Sequence, residues 1–235
     1  MVGETKSEEP RLVIFDCDGT LVDSQHVIIG AMKTAFERHG LAVPGDEEIR
    51  SIIGLSLHEA VAALVSPLAE NRLHSLVEGY KTAFIEQRQS PDFQEPLFAG
   101  AREILHELAA LPDILLGVAT GKSRRGVDVL FEREGLDKLF LTIQTADDAP
   151  SKPHPGMIEN AMADCGVRRQ NVLMIGDTSF DMAMARNAGV KAVGVGWGYH
   201  ERERLRKAGA HHLIETFGEI GTLLAALDAV EGQDA

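Results

Sequence analysis

The sequence is short of cysteine, of basic residues and of long apolar runs, and each shortage removes a class of function. Its two cysteines, Cys17 and Cys165, form no spaced metal or disulfide framework, as expected of a reducing compartment. Lys and Arg number 23 against 36 Asp and Glu, a formal net charge of −13. A surplus of that sign repels nucleic-acid backbones and anionic membrane surfaces, and neither is expected as a partner. No apolar run approaches the length that spans a bilayer, and Met1 to Pro10 reads as a loose polar tail, which predicts neither signal peptide nor anchor. The composition fits a cytoplasmic enzyme of small molecules, monomeric or homodimeric. With 235 residues the chain can bury a sizeable core in one domain or two small ones.

Against that background, one stretch stands out. Leu12-Val13-Ile14-Phe15 ends in Asp16-Cys17-Asp18-Gly19-Thr20. Four large apolar residues bounded by polar ones predict a strand buried on both faces of a parallel sheet. Ligands of such sheets gather at the carboxyl ends of the strands. Spacing of i, i+2 aims Asp16 and Asp18 to one side and turns Cys17 away as a small buried hydrophobe. Two carboxylates about 4 Å apart repel by about 4 kcal/mol at an effective dielectric constant of 20, so a cation is expected between them.

The chain then alternates. Ser24 can cap a helix whose apolar face runs from Val27 to Phe36 and which stops at Gly40. A short helix is expected from Asp46 through Arg50, a helix opened by a Ser56-Leu57-His58-Glu59 capping box, and a longer one from Leu68 to about Arg88. Nothing between Val22 and Pro96 reads as a strand, which is too long for an ordinary crossover. Residues 22–96 therefore read as an inserted all-helical domain, and residues 1–21 and 97–235 as an α/β core. In the core, strands are expected at Ile114 to Ala119, Leu141 to Gln144, Val172 to Ile175, Ala192-Val193 and His212 to Ile214, separated by helices. That alternation means a doubly wound parallel sheet.

Three further motifs follow strand ends. Thr120-Gly121-Lys122-Ser123 opens a helix where backbone N–H groups and a hydroxyl can hold phosphate oxygens. It imitates a nucleotide-binding P-loop, but only three residues separate Gly117 from Gly121, where that loop needs four. Lys122 reads as a solvated helix-start residue. Ser151-Lys152-Pro153-His154-Pro155 holds one lysine in a stiff loop, with Pro155 suited to the first turn of a helix. Val172-Leu173-Met174-Ile175-Gly176-Asp177 repeats the strand-then-carboxylate pattern, and Asp181 lies one helical turn beyond Asp177. Magnesium suits such a set of hard oxygen ligands beside a substrate phosphate.

Taken in this order, the four motifs resemble those of the haloacid-dehalogenase-like phosphatases, in the branch that includes phosphoglycolate phosphatases. Phe15-Asp16-Cys17-Asp18-Gly19-Thr20-Leu21-Val22-Asp23-Ser24 carries most of the likeness. The resemblance implies a Rossmann-like core with an inserted helical cap that closes over the site. It implies a small phosphate monoester as substrate, with phosphoglycolate the leading candidate. Asp16 would be the nucleophile and Asp18 the general acid and base. Thr120 would donate to the phosphate, with Gly121 beside it, and Lys152 would neutralise charge. Mg2+ would be held by Asp16, Asp177, Asp181 and the backbone carbonyl of Asp18, with Asp181 either a ligand or a support. Gln25, Arg50 and Ser56, by their hinge or cap-loop placement, are candidates to face the leaving group.

Relatives and rivals are weighed residue by residue. Dehalogenases lack the second carboxylate, Asp18, and phosphonatases need a cap lysine that Ile53 to His58 does not offer. Sugar phosphomutases share every core motif, although Arg50 to Ser56 looks more like the phosphatase cap. A signalling receiver would place its acids differently, and a regulator that only binds a phosphometabolite would not need Asp16 and Asp18 intact. His154, the His211-His212 pair and the Arg202 to Lys207 cluster read as ordinary surface or loop residues. Trp197-Gly198-Tyr199 either packs locally or touches the site, and Asp23 and Ser24 are placed to position the cap.

Overall fold

The computed structural model of the protein describes residues 9–65 and 67–231. Most of the expected N-terminal tail, residues 1–8, lies outside the described residues. Six parallel strands form one sheet: β1 (Arg11–Phe15), β2 (Ile114–Ala119), β3 (Thr142–Gln144), β4 (Val172–Gly176), β5 (Lys191–Val195) and β6 (His212–Ile214). Their order is β3-β2-β1-β4-β5-β6, with β1 paired to β2 on one side and β4 on the other. The winding reverses at β1, and that reversal opens a crevice at its carboxyl end.

Burial on two faces explains why β1 is apolar throughout. Val13 and Phe15 pack into one cluster with Ile104 and Leu105 of α5 (Ala101–Ala109), Val127 and Phe131 of α6 (Arg124–Glu134) and Ile220 of α10 (Glu219–Glu231). Leu12 and Ile14 face the opposite cluster, with Ile158 of α7 (Gly156–Cys165), Met182 of α8 (Ser179–Ala188) and Leu205 of α9 (Arg202–Lys207). Cys17 lies with Val13 and Phe15, turned away from the acids as its position predicts.

Between β1 and β2 the chain forms α1 (Gln25–Arg38), α2 (Asp46–Arg50), α3 (Leu57–Leu64) and α4 (Glu70–Arg88). These helices hold a third hydrophobic cluster of their own, in which Met32 and Phe36 of α1 meet Leu76 and Val77 of α4. Tyr199, from the loop after β5, packs against it. The α4 helix starts at Glu70, two residues later than the apolar pattern predicts.

His200 ties this helical layer to the sheet. Its Nδ1 accepts the Ser179 N–H at 2.9 Å, and its Nε2 donates to the Ser51 carbonyl at 3.2 Å, a pair of bonds that only the neutral ring can make. Burial, reinforced by the nearby Arg204 cation, pushes its pKa down to about 4. The unfolded chain binds this proton near pH 6.5, so below that pH the unfolded state takes up more protons than the folded one. Stability from this group is complete above pH 6.5 and declines towards pH 4, by at most about 1.4 kcal/mol per pH unit. Urea unfolding of wild type and His200→Gln across pH 7 to pH 4 is expected to show a steeper decline in wild type. Parallel curves would remove the assignment.

Candidate active site

The site is built at the carboxyl ends of β1, β2 and β4. Asp16 follows β1 directly and is fully buried, its N–H donating to the Ile175 carbonyl of β4 at 2.9 Å. One oxygen, Oδ1, accepts from the Cys17 N–H at 2.7 Å and pairs with Lys152 Nζ at 2.9 Å. The other, Oδ2, is buried with no partner. Asp177 follows β4 and is also fully buried. Its Oδ1 accepts from the Thr20 hydroxyl at 2.9 Å, and its Oδ2 from the Tyr199 N–H at 2.8 Å.

Asp181 is fixed by the helix it begins. Thr178 caps α8, its hydroxyl accepting the Asp181 N–H, while Asp181 Oδ2 accepts from the Thr178 N–H at 3.0 Å. That reciprocal cap leaves Oδ1 for Lys152 Nζ at 2.6 Å. Asp16, Asp177 and Asp181 thus present ligand atoms within 4.8 Å of one another. Three buried carboxylates face one ammonium. Burial pushes the Asp16 pKa up to about 7 against the pull of Lys152, and burial together with Asp181 and Asp16 pushes Asp177 up as well. Burial alone would depress Lys152, but the two carboxylates outweigh it and hold its pKa above the ordinary value. An orphaned buried oxygen and an acidic surplus in a pocket of hard oxygen donors fit a divalent cation.

Close backbone approach makes this packing possible. Gly19 has φ +86°, and a side chain there, at Gly198 or at Gly176 would collide with Asp177 or Asp181. Gly121 lies equally close to the Gly54 and Leu55 carbonyls of the helical insert. Thr120 is buried at the end of β2, and its hydroxyl oxygen accepts the Lys122 N–H at 3.2 Å, leaving its proton to donate elsewhere.

Several expectations require correction. Asp18 does not join the acidic cluster, because β1 ends at Phe15 and the strand alternation does not persist through the turn. Its Oδ1 instead accepts from Ser24 Oγ at 2.7 Å and Lys122 Nζ at 2.9 Å. Lys122 is not a solvated helix-start residue: its side chain is 10% exposed and bridges Asp18 to Glu95, 2.9 Å from each. Ser24 and Ser56 occupy N-cap positions, yet neither side chain caps its helix. The Ser24 hydroxyl is taken by Asp18, and the Ser56 Oγ is buried with no partner. Arg50 donates to Gln25 Oε1 at 2.9 Å and pairs with Glu47; neither Arg50 nor Gln25 lines the large cavity beside Asp16, whereas Ser56 and Gly121 do. Asp23 and Ser24 do lie at the hinge, where the Asp23 N–H donates to the Pro96 carbonyl at 2.9 Å.

Glu95 and Lys122 carried no direct sequence signal for the roles they hold, whereas Trp197 and Tyr199 touch the site, one of the two readings open to them. The Trp197 indole donates to the Thr20 carbonyl at 3.0 Å, and Tyr199 Oη accepts from the Ser24 and Gln25 N–H groups at 2.9 and 3.0 Å. Position was the available signal, since Lys122 and Tyr199 each stand just beyond a parallel strand's carboxyl end.

A parallel sheet with a carboxylate nucleophile candidate at its switch point, a lysine-bridged acidic cluster and a helical layer overhead defines a class of hydrolase built around buried aspartates. A family model described as "Haloacid dehalogenase-like hydrolase" matches residues 13–195. The chain belongs to this family. It is 36% identical over 213 residues to "Probable phosphatase IndB" of Dickeya dadantii, covering 89% of this chain and 91% of that protein. It is 27% identical to a phosphoglycolate phosphatase of Nitrosococcus oceani, covering 93% and 98% of the two chains. The crystal structure of a hydrolase from Pseudomonas syringae superposes with a TM-score of 0.80 at 26% identity, over 92% of this chain and 98% of that one.

The Lys122 bridge makes a stability prediction. Replacing Lys122 by Met leaves Asp18 without a cation and Glu95 with Arg133 alone at 3.7 Å, their side chains 11% and 4% exposed, and should cost up to about 3–5 kcal/mol. Urea denaturation measures it, and Lys122→Met/Glu95→Gln is expected to recover part of the loss. An unchanged midpoint in the single variant would rule the bridge out.

Proposed function

We propose that the protein is a Mg2+-dependent phosphatase that hydrolyses a small-molecule phosphate monoester through an aspartyl-phosphate. The observation that carries this reading is the unpartnered, buried Oδ2 of Asp16 inside a cluster of three carboxylates and one lysine. Asp16, Asp177 and the Asp18 carbonyl would hold the cation. When bound, it would neutralise the carboxylates and polarise the phosphoryl oxygens.

The chain's own groups divide the remaining work. Asp16 attacks phosphorus: an Asp16 O–P bond forms while the bond from phosphorus to the leaving oxygen breaks. Asp18 gives its proton to that oxygen. Water then attacks phosphorus, Asp18 takes the water's proton, and the Asp16 O–P bond breaks to release phosphate. Ser24 and Lys122 both hold Oδ1 of Asp18, which leaves Oδ2 open to the cavity that both Asp16 and Asp18 line. Lys152 orients Asp16 and balances its charge, and Asp181 supports Lys152. The Thr120 hydroxyl and the Gly121 N–H would donate to phosphoryl oxygens. Residues 22–96 act as the cap that excludes water before the intermediate forms.

Phosphate release is expected from a panel of phosphomonoesters headed by 2-phosphoglycolate, with activity abolished by excess chelator and lost by at least about 10³-fold in Asp16→Asn. Independently of turnover, Mg2+ should raise the thermal midpoint of wild type by relieving carboxylate repulsion, and Asp177→Asn should blunt that rise. Full activity in chelator, or in Asp16→Asn, would refute the mechanism.

A further inference from the structure

Asp16 and Asp18 form one end of a cavity of about 910 Å³, near the upper limit of the roughly 300–1,000 Å³ of ordinary ligand sites. Glycolate, with two carbons and a carboxylate, would leave most of it unfilled. Polar residues such as His58, Gln89, Asp147 and Ser151 form part of its wall, and apolar side chains form the rest. Met32 of α1, Ile53 and Leu55 of the loop before α3, and Val77, Tyr80 and Phe84 of α4 all line it.

Nor does the chamber offer a carboxylate a buried cation. Among the described lining residues, the ammonium beside Asp18 is that of Lys122, already engaged by Asp18 and Glu95. Lys81 is exposed and paired with Glu78. Arg125 is exposed, and Arg88, the last residue of α4, is half-buried. A leaving group carrying its own anion would have to lose water against Met, Ile, Val and Phe side chains, which is costly without a partner. Among the neutral polar groups of the lining, the Ser56 Oγ is buried and has no partner among the described residues.

From this chamber we infer that the natural substrate is a phosphate monoester whose leaving group is an extended, largely apolar alcohol with a hydrogen-bonding group for Ser56. The inference rests on the phosphatase reading above and narrows its substrate class. Apolar walls supply binding energy in proportion to the area covered, so specificity should rise with leaving-group length until the chamber is full.

The test is a series of n-alkyl phosphates, ethyl to hexyl, with 2-phosphoglycolate alongside, assayed with Mg2+. The leaving alkoxides are chemically alike, so length is isolated from reactivity. Each methylene buried should raise kcat/KM by about fourfold, and hexyl phosphate should exceed ethyl phosphate by on the order of 100-fold. In Phe84→Ala that dependence should shrink. A flat series, or 2-phosphoglycolate outperforming hexyl phosphate, would overturn the inference while leaving the phosphatase intact. Should no compound release phosphate, the phosphatase reading falls. Calorimetric binding of hexyl phosphonate against ethyl phosphonate then judges the chamber, and equal affinities would count against it.

Discussion

Everything at the carboxyl edge of this sheet is arranged around a surplus of buried negative charge. Asp16, Asp177 and Asp181 converge out of reach of solvent, and Lys152 answers for one charge among three. Such a cluster is tolerable only if its remaining lone pairs are satisfied and a further cation can enter. The chain meets the first condition almost completely. Thr20, Thr178, Tyr199 and the Cys17 N–H all donate into it, and the exception is Asp16 Oδ2, which has no partner among the described residues.

A second electrostatic unit sits beside the first and is kept separate from it. Asp18, Lys122 and Glu95 form a short chain across the mouth of the site, with Arg133 Nη2 donating to the Glu95 carbonyl at 2.6 Å. Ser24 belongs to the segment entering the helical insert, and Glu95 to the segment leaving it. Both hinge segments therefore bear on the same oxygen of Asp18, Ser24 directly and Glu95 through Lys122. In the mechanism proposed above, separating the units would let Asp16 stand beside a cation while Asp18 exchanges a proton.

Much of this was legible in the sequence because it follows from periodicity and position. The apolar runs before Asp16, Thr120 and Asp177 could be buried only as central parallel strands, and the long strand-free stretch after Val22 could be accommodated only as an insert. The reading failed where tertiary contacts override a local rule. Ser56-Leu57-His58-Glu59 has the letters of a capping box, yet Ser56 turns its hydroxyl elsewhere. Arg50 is a plausible ligand by type, but its guanidinium is taken by Glu47 and Gln25, next to it at the hinge. Lys122 follows a strand by three residues, as solvated helix-start lysines often do, and nothing local announces that Glu95 lies opposite.

These failures are not scattered. Each serine that abandons its capping position does so beside the site, whereas Thr178, which does cap its helix, uses that cap to aim Asp181 at Lys152. A cap contributes about 1 kcal/mol. In the mechanism proposed above, a hydrogen bond that fixes the Asp18 carboxylate, or a hydroxyl kept for a ligand, would be worth more than that loss of helix stability. Natural chains break local rules where function requires it, and the two breaks here fall at Ser24, which is held on Asp18, and at Ser56, which lines the cavity.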